Sequence, residues 1–225
     1  MGKHFSLTAA DSFKLGAYRA DPSGAAKGGV VVIQEIFGVN HHIRAVCDRI
    51  AAQGYAAIAP ALFDRQHPNF ESGYSPDEIA NARKFVANPD WGAMMRDTQA
   101  AIDEARKVGP AAIVGFCMGG SIAFLAAAKC NGLSAAIGWY GGQIAKNADQ
   151  KPKVPTQMHF GAKDASIPLS DVETIKQKRG GDCEIYVYPD AQHGFHCDER
   201  GSYQEAAAKL AWQRSMAFLQ KNLKK

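Results

Sequence analysis

A thiol, a carboxyl and an imidazole follow one another in this chain in an order that suits acyl transfer: Cys117, Asp164, His193. In such a set the imidazole takes the thiol proton and later returns one to the leaving group. The carboxylate accepts from the other ring nitrogen and holds its tautomer. Cys117 lies within Gly115-Phe116-Cys117-Met118-Gly119, after an apolar run and before an alanine-rich one. That is the setting in which a sharp turn presents a nucleophile between a strand and a helix. Side chains at Gly115 and Gly119 would collide where strand and helix pack closely, and the tip residue takes a strained conformation. The first N–H groups of the helix have no intrahelical partner and sit at its positive end, which favours a thiolate or a developing oxyanion. Met118 and Ile36 each follow a loop residue that faces the site, so their backbone N–H groups are the candidates for an oxyanion hole. Glu35, straight after an apolar strand, is a fourth residue with chemistry to offer. Each member has a plain alternative: a small core cysteine, a turn aspartate, an idle loop histidine, a hydrogen-bonded strand end. The conjunction carries the reading.

These groups need elements to position them, and the chain supplies an alternation. Phe5–Leu7 and Phe13–Arg19 flank the Ala10-Asp11-Ser12 turn as an opening hairpin. Val30–Ile33 is a β-branched run typical of a central parallel strand. From His41 to Gln53, Ile43, Val46, Cys47 and Ile50 share one helical face, and Gly54 closes it. Tyr55–Ala59 is the next strand, and Ser75-Pro76-Asp77-Glu78 reads as a capping box that opens a helix to Val86. Another helix runs from Asp90 or Trp91 to about Val108, before Gly109-Pro110 and the strand that enters the Cys117 turn. Met118–Lys129 is the helix that leaves it.

Strands at 135–140, 156–160 and 184–188 follow, with a second capping box at Ser170-Asp171-Val172-Glu173 and a terminal helix at 202–223. Alternation throughout predicts an α/β fold with a mostly parallel, doubly wound sheet flanked by helices, and a single domain over residues 1–225. In such sheets ligands bind beyond the carboxyl ends of the strands. Glu35, Cys117, Asp164 and His193 all fall on loops at those ends, and nucleophile, acid and histidine come in the order of the α/β-hydrolase fold.

Composition narrows the partners. The formal net charge is +4 and the basic residues are scattered, with one short cluster at Lys221, Lys224 and Lys225. That pattern fits a solvated helix end better than a nucleic-acid surface, and at most slightly favours an anionic small molecule. Five cysteines without framework spacing, no apolar signal core after Met1 and no run of transmembrane length predict a reduced, cytoplasmic setting with no membrane partner. A monomer is the default expectation. His196 and Cys197 beside His193 superficially suggest metal ligands, but no fourth residue has suitable spacing, so no metal and no cofactor are expected.

Four pieces, Gln34-Glu35-Ile36-Phe37-Gly38, Gly115-Phe116-Cys117-Met118-Gly119-Gly120, Gly161-Ala162-Lys163-Asp164 and His193-Gly194-Phe195, together resemble the dienelactone hydrolase family (carboxymethylenebutenolidases). The resemblance runs from about Phe5 to Leu223. It implies an α/β-hydrolase fold, a Cys117/His193/Asp164 triad with Glu35 as an extra acid beside the nucleophile, and opening of an enol-lactone without a cofactor. A carboxylate near Cys117 opposes a second negative charge, so the resting thiol tends to stay neutral until substrate redirects Glu35 or lets it help take the proton.

The chain departs from the family at the residues that grip a substrate carboxylate. Cys197 and Ile79 stand where arginines are expected, and Arg83 where a tyrosine is. Arg83 can bind a carboxylate bidentately, and Arg200 follows the histidine; solvated surface arginines are the ordinary reading of both. Phe37, Trp91, Trp139 and Tyr140 divide between core and pocket wall, with Phe37, Trp91 and Tyr140 the candidates for substrate contact. Three other classes of function stay in view: a broad carboxylesterase or thioesterase, a cysteine amidotransferase-like enzyme, and a non-catalytic binding protein. An amidotransferase places histidine and glutamate close together late in the chain, whereas Asp164 precedes His193 on another strand. A binding protein predicts a missing triad member, and none is missing.

Overall fold

The β-branched run Gly29–Ile33 (β3) is buried at every position, as a strand covered on both faces must be. The computed structural model describes residues 2–224, and among them eight strands join in one sheet of order β1-β2-β4-β3-β5-β6-β7-β8. Lys3–Thr8 (β1) and Lys14–Ala20 (β2) form the opening hairpin, and β2 pairs antiparallel with Ala56–Pro60 (β4). From β4 through β3 the pairing is parallel across Ala111–Phe116 (β5), Leu133–Trp139 (β6), Thr156–Gly161 (β7) and Cys183–Tyr188 (β8).

Six α-helices are described: His41–Ala52 (α1), Pro76–Phe85 (α2), Trp91–Ala105 (α3), Met118–Lys129 (α4), Leu169–Arg179 (α5) and Glu205–Asn222 (α6). Period-2 alternation along the strands splits the core in two. Val30 and Val32 join the apolar faces of α1, α5 and α6, while Val31 and Ile33 meet α3 and most of α4. The sheet is therefore doubly wound, and every β-to-α loop of its parallel part opens at one rim.

The expected hairpin, the capping box at Ser75 and Glu78, and helix α4 are where the residues placed them. Two expectations are corrected. Ser170 and Glu173 form no capping box: α5 starts at Leu169, ahead of the serine, after an extended Pro168 and with no side-chain cap. The turn before it is organised instead by Asp164, whose Oδ1 accepts from the N–H groups of Ser166 and Ile167 at 2.8 and 3.1 Å. The terminal helix begins at Glu205 rather than at Ser202, because Gln204 supplies its cap, accepting from Ala207 N at 2.7 Å. Lys221 and Lys224 are exposed at its end; Lys225 of that basic cluster, and Met1, lie outside the described residues. All five cysteines are free thiols. No helix among the described residues is long and apolar enough to cross a membrane.

Candidate active site

The turn between β5 and α4 is tight because two positions lack side chains. A Cβ on Gly115 would fall 1.9 Å from the Gly119 carbonyl oxygen, and one on Gly119 would fall 2.4 Å from that of Ile33. At the tip Cys117 takes φ 54° and ψ −115°, a conformation that costs a non-glycine residue on the order of 1–3 kcal/mol. Its own N–H donates to Trp139 O at 3.0 Å, and its carbonyl accepts from Gly120 N at 3.0 Å. The backbone is pinned on both sides while Sγ projects beyond the sheet. Met118, the first residue of α4, has an N–H with no intrahelical acceptor. Ile36 stands across the opening, and both residues line the cavity beside Cys117.

The loops after β7 and β8 bring the other two groups. His193 Nε2 is 3.1 Å from Cys117 Sγ, and His193 Nδ1 is 2.7 Å from Asp164 Oδ2. Asp164 is thus both a turn residue and the partner of the imidazole: Oδ1 holds its own loop while Oδ2 faces the ring. Burial works against a charge on His193, but interaction with Cys117 and Asp164 outweighs it and raises the pKa to about 10. The geometry can pass a proton from sulfur to nitrogen and hold an imidazolium afterwards.

Glu35 lies at the end of β3, 1% exposed, and its Oε1 accepts from Arg200 Nη1 at 3.0 Å. Arg200 is no solvated surface residue. Its side chain is 16% exposed, and the guanidinium lies 5.5 Å from the Phe37 ring centroid and 5.8 Å from that of Tyr74. Burial opposes its charge, but the Glu35 carboxylate prevails and raises its pKa. Gly194 makes room for it: with φ +76° it has no Cβ, and one there would sit 2.3 Å from Arg200 Nη1. Tyr74 belongs to the same cluster, its hydroxyl accepting from Asn40 Nδ2 at 3.0 Å. Asn40 also caps α1. Neither Tyr74 nor Asn40 has a local sequence pattern that marks it, since both meet the site only through folded loops.

A cavity of about 500 Å³ opens over Cys117 and His193. Phe37, Trp91 and Arg83 line it, together with Ile79, Arg200, Gln143 and Ser166. Arg83 is exposed at its mouth, on α2 one turn from Ile79. Tyr140 is a correction. It is fully buried and lies behind the His193 ring, with centroids 5.2 Å apart, rather than on the cavity wall. Its ring packs against Phe116 and Phe195 as well as His193. Trp139 is likewise core. Cys197 is buried as well, so it does not face the cavity where an arginine would. His196 is enclosed between Phe116 and Trp212.

Comparison with known proteins adds a second line of argument. The sequence profile described as the Dienelactone hydrolase family matches residues 15–223. A Synechocystis sp. protein provisionally named a carboxymethylenebutenolidase is 38% identical, over 95% of this chain and 94% of its own length. The carboxymethylenebutenolidase of Pseudomonas putida is 33% identical, over 95% of this chain and 94% of its own. A solved structure from Klebsiella pneumoniae subsp. pneumoniae, provisionally named a dienelactone hydrolase, superposes with a TM-score of 0.84 at 35% identity. It covers 98% of this chain and 99% of that one.

Proposed function

The chain belongs to the dienelactone hydrolase family of carboxylic ester hydrolases, and from that premise we propose that it opens an enol-lactone or activated ester through Cys117, with His193 and Asp164 completing the triad. The observation that carries this reading is the relay of 3.1 Å from Cys117 Sγ to His193 Nε2 and 2.7 Å from His193 Nδ1 to Asp164 Oδ2. In the acylation step the thiol proton passes to His193 and sulfur attacks the carbonyl carbon. The oxyanion forms against the N–H groups of Met118 and Ile36. The ring C–O bond then breaks, the leaving oxygen departs as a stabilised enolate, and His193 returns the proton. Water, deprotonated by His193, attacks the thioester and releases the acid and the thiol. An enolate leaves more easily than an amine, which favours activated esters over peptides. The whole chain acts in this reading as one domain.

Glu35 and Arg200 give the site its sensitivity to substrate charge. An anionic substrate in the cavity competes with Glu35 for the Arg200 guanidinium, and a freed Glu35 carboxylate can assist removal of the thiol proton. Arg83 at the cavity mouth offers a second cation. A broad carboxylesterase remains the second reading, because Ile79 puts an apolar side chain on the cavity wall and Cys197 is out of reach of substrate.

Turnover of cis- and trans-dienelactone against neutral aryl esters separates the two readings: a strong preference for the acids supports the arginine grip, and indifference supports the esterase. Cys117→Ala is expected to lower kcat/KM by more than about a hundredfold, the scale of removing a covalent nucleophile; retained turnover refutes the triad. Glu35→Gln is expected to shift the pH profile for alkylation of Cys117 and to lower turnover. If both stay as in the parent chain, Glu35 has no part in activation.

A further inference from the structure

We propose that His42, Asp198 and Glu199 form a binding site for one divalent transition-metal ion, outside the Cys117–His193–Asp164 set, that ties the segment after His193 to the start of α1. His42 carries the inference. Its side chain is 1% exposed, yet neither ring nitrogen has a hydrogen-bond partner, a costly state for a buried polar group. Nδ1 is aimed at Asp198 Oδ1 from 3.4 Å, a contact that does not serve as a hydrogen bond. It is the spacing of two ligand atoms around one ion: metal–nitrogen and metal–oxygen distances of about 2.0–2.2 Å put neighbouring ligands about 3 Å apart. One ligand atom from each of His42, Asp198 and Glu199 lies within 4.8 Å of the others.

Glu199 is oriented from outside the cluster. His41 Nδ1 stands 2.6 Å from its Oε1, which leaves the second oxygen for the ion and supplies the outer contact that fixes a ligand. One imidazole and two carboxylates suit Zn²⁺, Co²⁺ or Mn²⁺ and not a soft, thiolate-seeking ion. The next residue, Arg200, extends from the same loop to Glu35, so an ion held at 198 and 199 fixes the backbone that carries that arm. The site stands whether or not Cys117 is the nucleophile.

Titration of chelator-treated full-length protein with Co²⁺ tests it. One equivalent is expected to bind, with visible d–d absorption of nitrogen and oxygen ligands, no thiolate charge-transfer band, and a higher unfolding temperature. Asp198→Asn and Glu199→Gln change exposed residues, so folding is retained, and each is expected to weaken Co²⁺ binding at least about tenfold. His42→Gln is expected to abolish it, and Cys117→Ser to leave both spectrum and affinity unchanged. No binding up to millimolar Co²⁺, equal binding by the Glu199→Gln variant, or a thiolate band lost in Cys117→Ser would each overturn the site.

Discussion

His193 titrates beside the Cys117 sulfur and the Asp164 carboxylate, and that is testable one residue at a time. Burial alone pushes an imidazole toward its neutral form; here interaction with Cys117 and Asp164 reverses the sign and raises the pKa to about 10. Cys117→Ala deletes one of those two partners while the buried setting stays. The pKa of His193 is then expected to fall well below 10, read from its ring-proton NMR shifts across pH. An unchanged titration would show that sulfur is not the partner the 3.1 Å contact implies. Cys117, Asp164 and His193, which the fold brings together, were legible in the sequence because each sits beside a glycine or a turn at a strand end. The Arg200–Glu35 pair was not: its members are 165 positions apart, and nothing local to Arg200 separates a buried arginine from a solvated one. Tyr140 misled for a related reason, since its burial comes from contacts with His193 and Phe195, far along the chain.

At the scale of elements, the turn from β5 to α4 exists only while two glycines keep their hydrogens. Gly115→Ala would place a methyl group 1.9 Å from the Gly119 carbonyl oxygen, and backbone cannot yield as a flexible side chain can. A loss of about 3 kcal/mol or more in unfolding free energy is expected, at or beyond the upper end of ordinary overpacking. Urea denaturation measures it, and a loss under about 1 kcal/mol would mean that strand and helix separate more easily than their packing indicates. Helix boundaries were readable where the cap is local, as at Ser75 and Glu78. They were not where the loop answers to a distant partner. Asp164 must present Oδ2 to His193, its Oδ1 organises the turn that follows, and α5 begins where that turn ends rather than at the serine with capping chemistry.

The molecule as a whole carries a sensitivity to acid that lies away from the cavity. His159 is buried, hydrogen-bonded to Tyr188, Gln157 and Ser215; burial and then Arg214 lower its pKa from 6.5 to about 3. Below pH 6.5 the unfolded chain takes up a proton at this position and the folded chain does not, so stability present above 6.5 is lost as pH falls toward 3. Unfolding free energy is expected to drop by as much as about 1.4 kcal/mol per pH unit from this one group. His196, pushed down by burial and by Arg49, acts in the same direction. Denaturant titrations between pH 4 and 7 on the parent chain and on His159→Gln check this; parallel slopes would remove His159 as a source. One consequence concerns the order in which the polypeptide is made. Cys117 precedes His193 by 76 residues, so on a ribosome the sulfur emerges long before the ring that folding brings to within 3.1 Å of it. Until the last parallel strand has docked, that contact cannot form, and the pairing of sulfur with imidazole arrives only with completed folding.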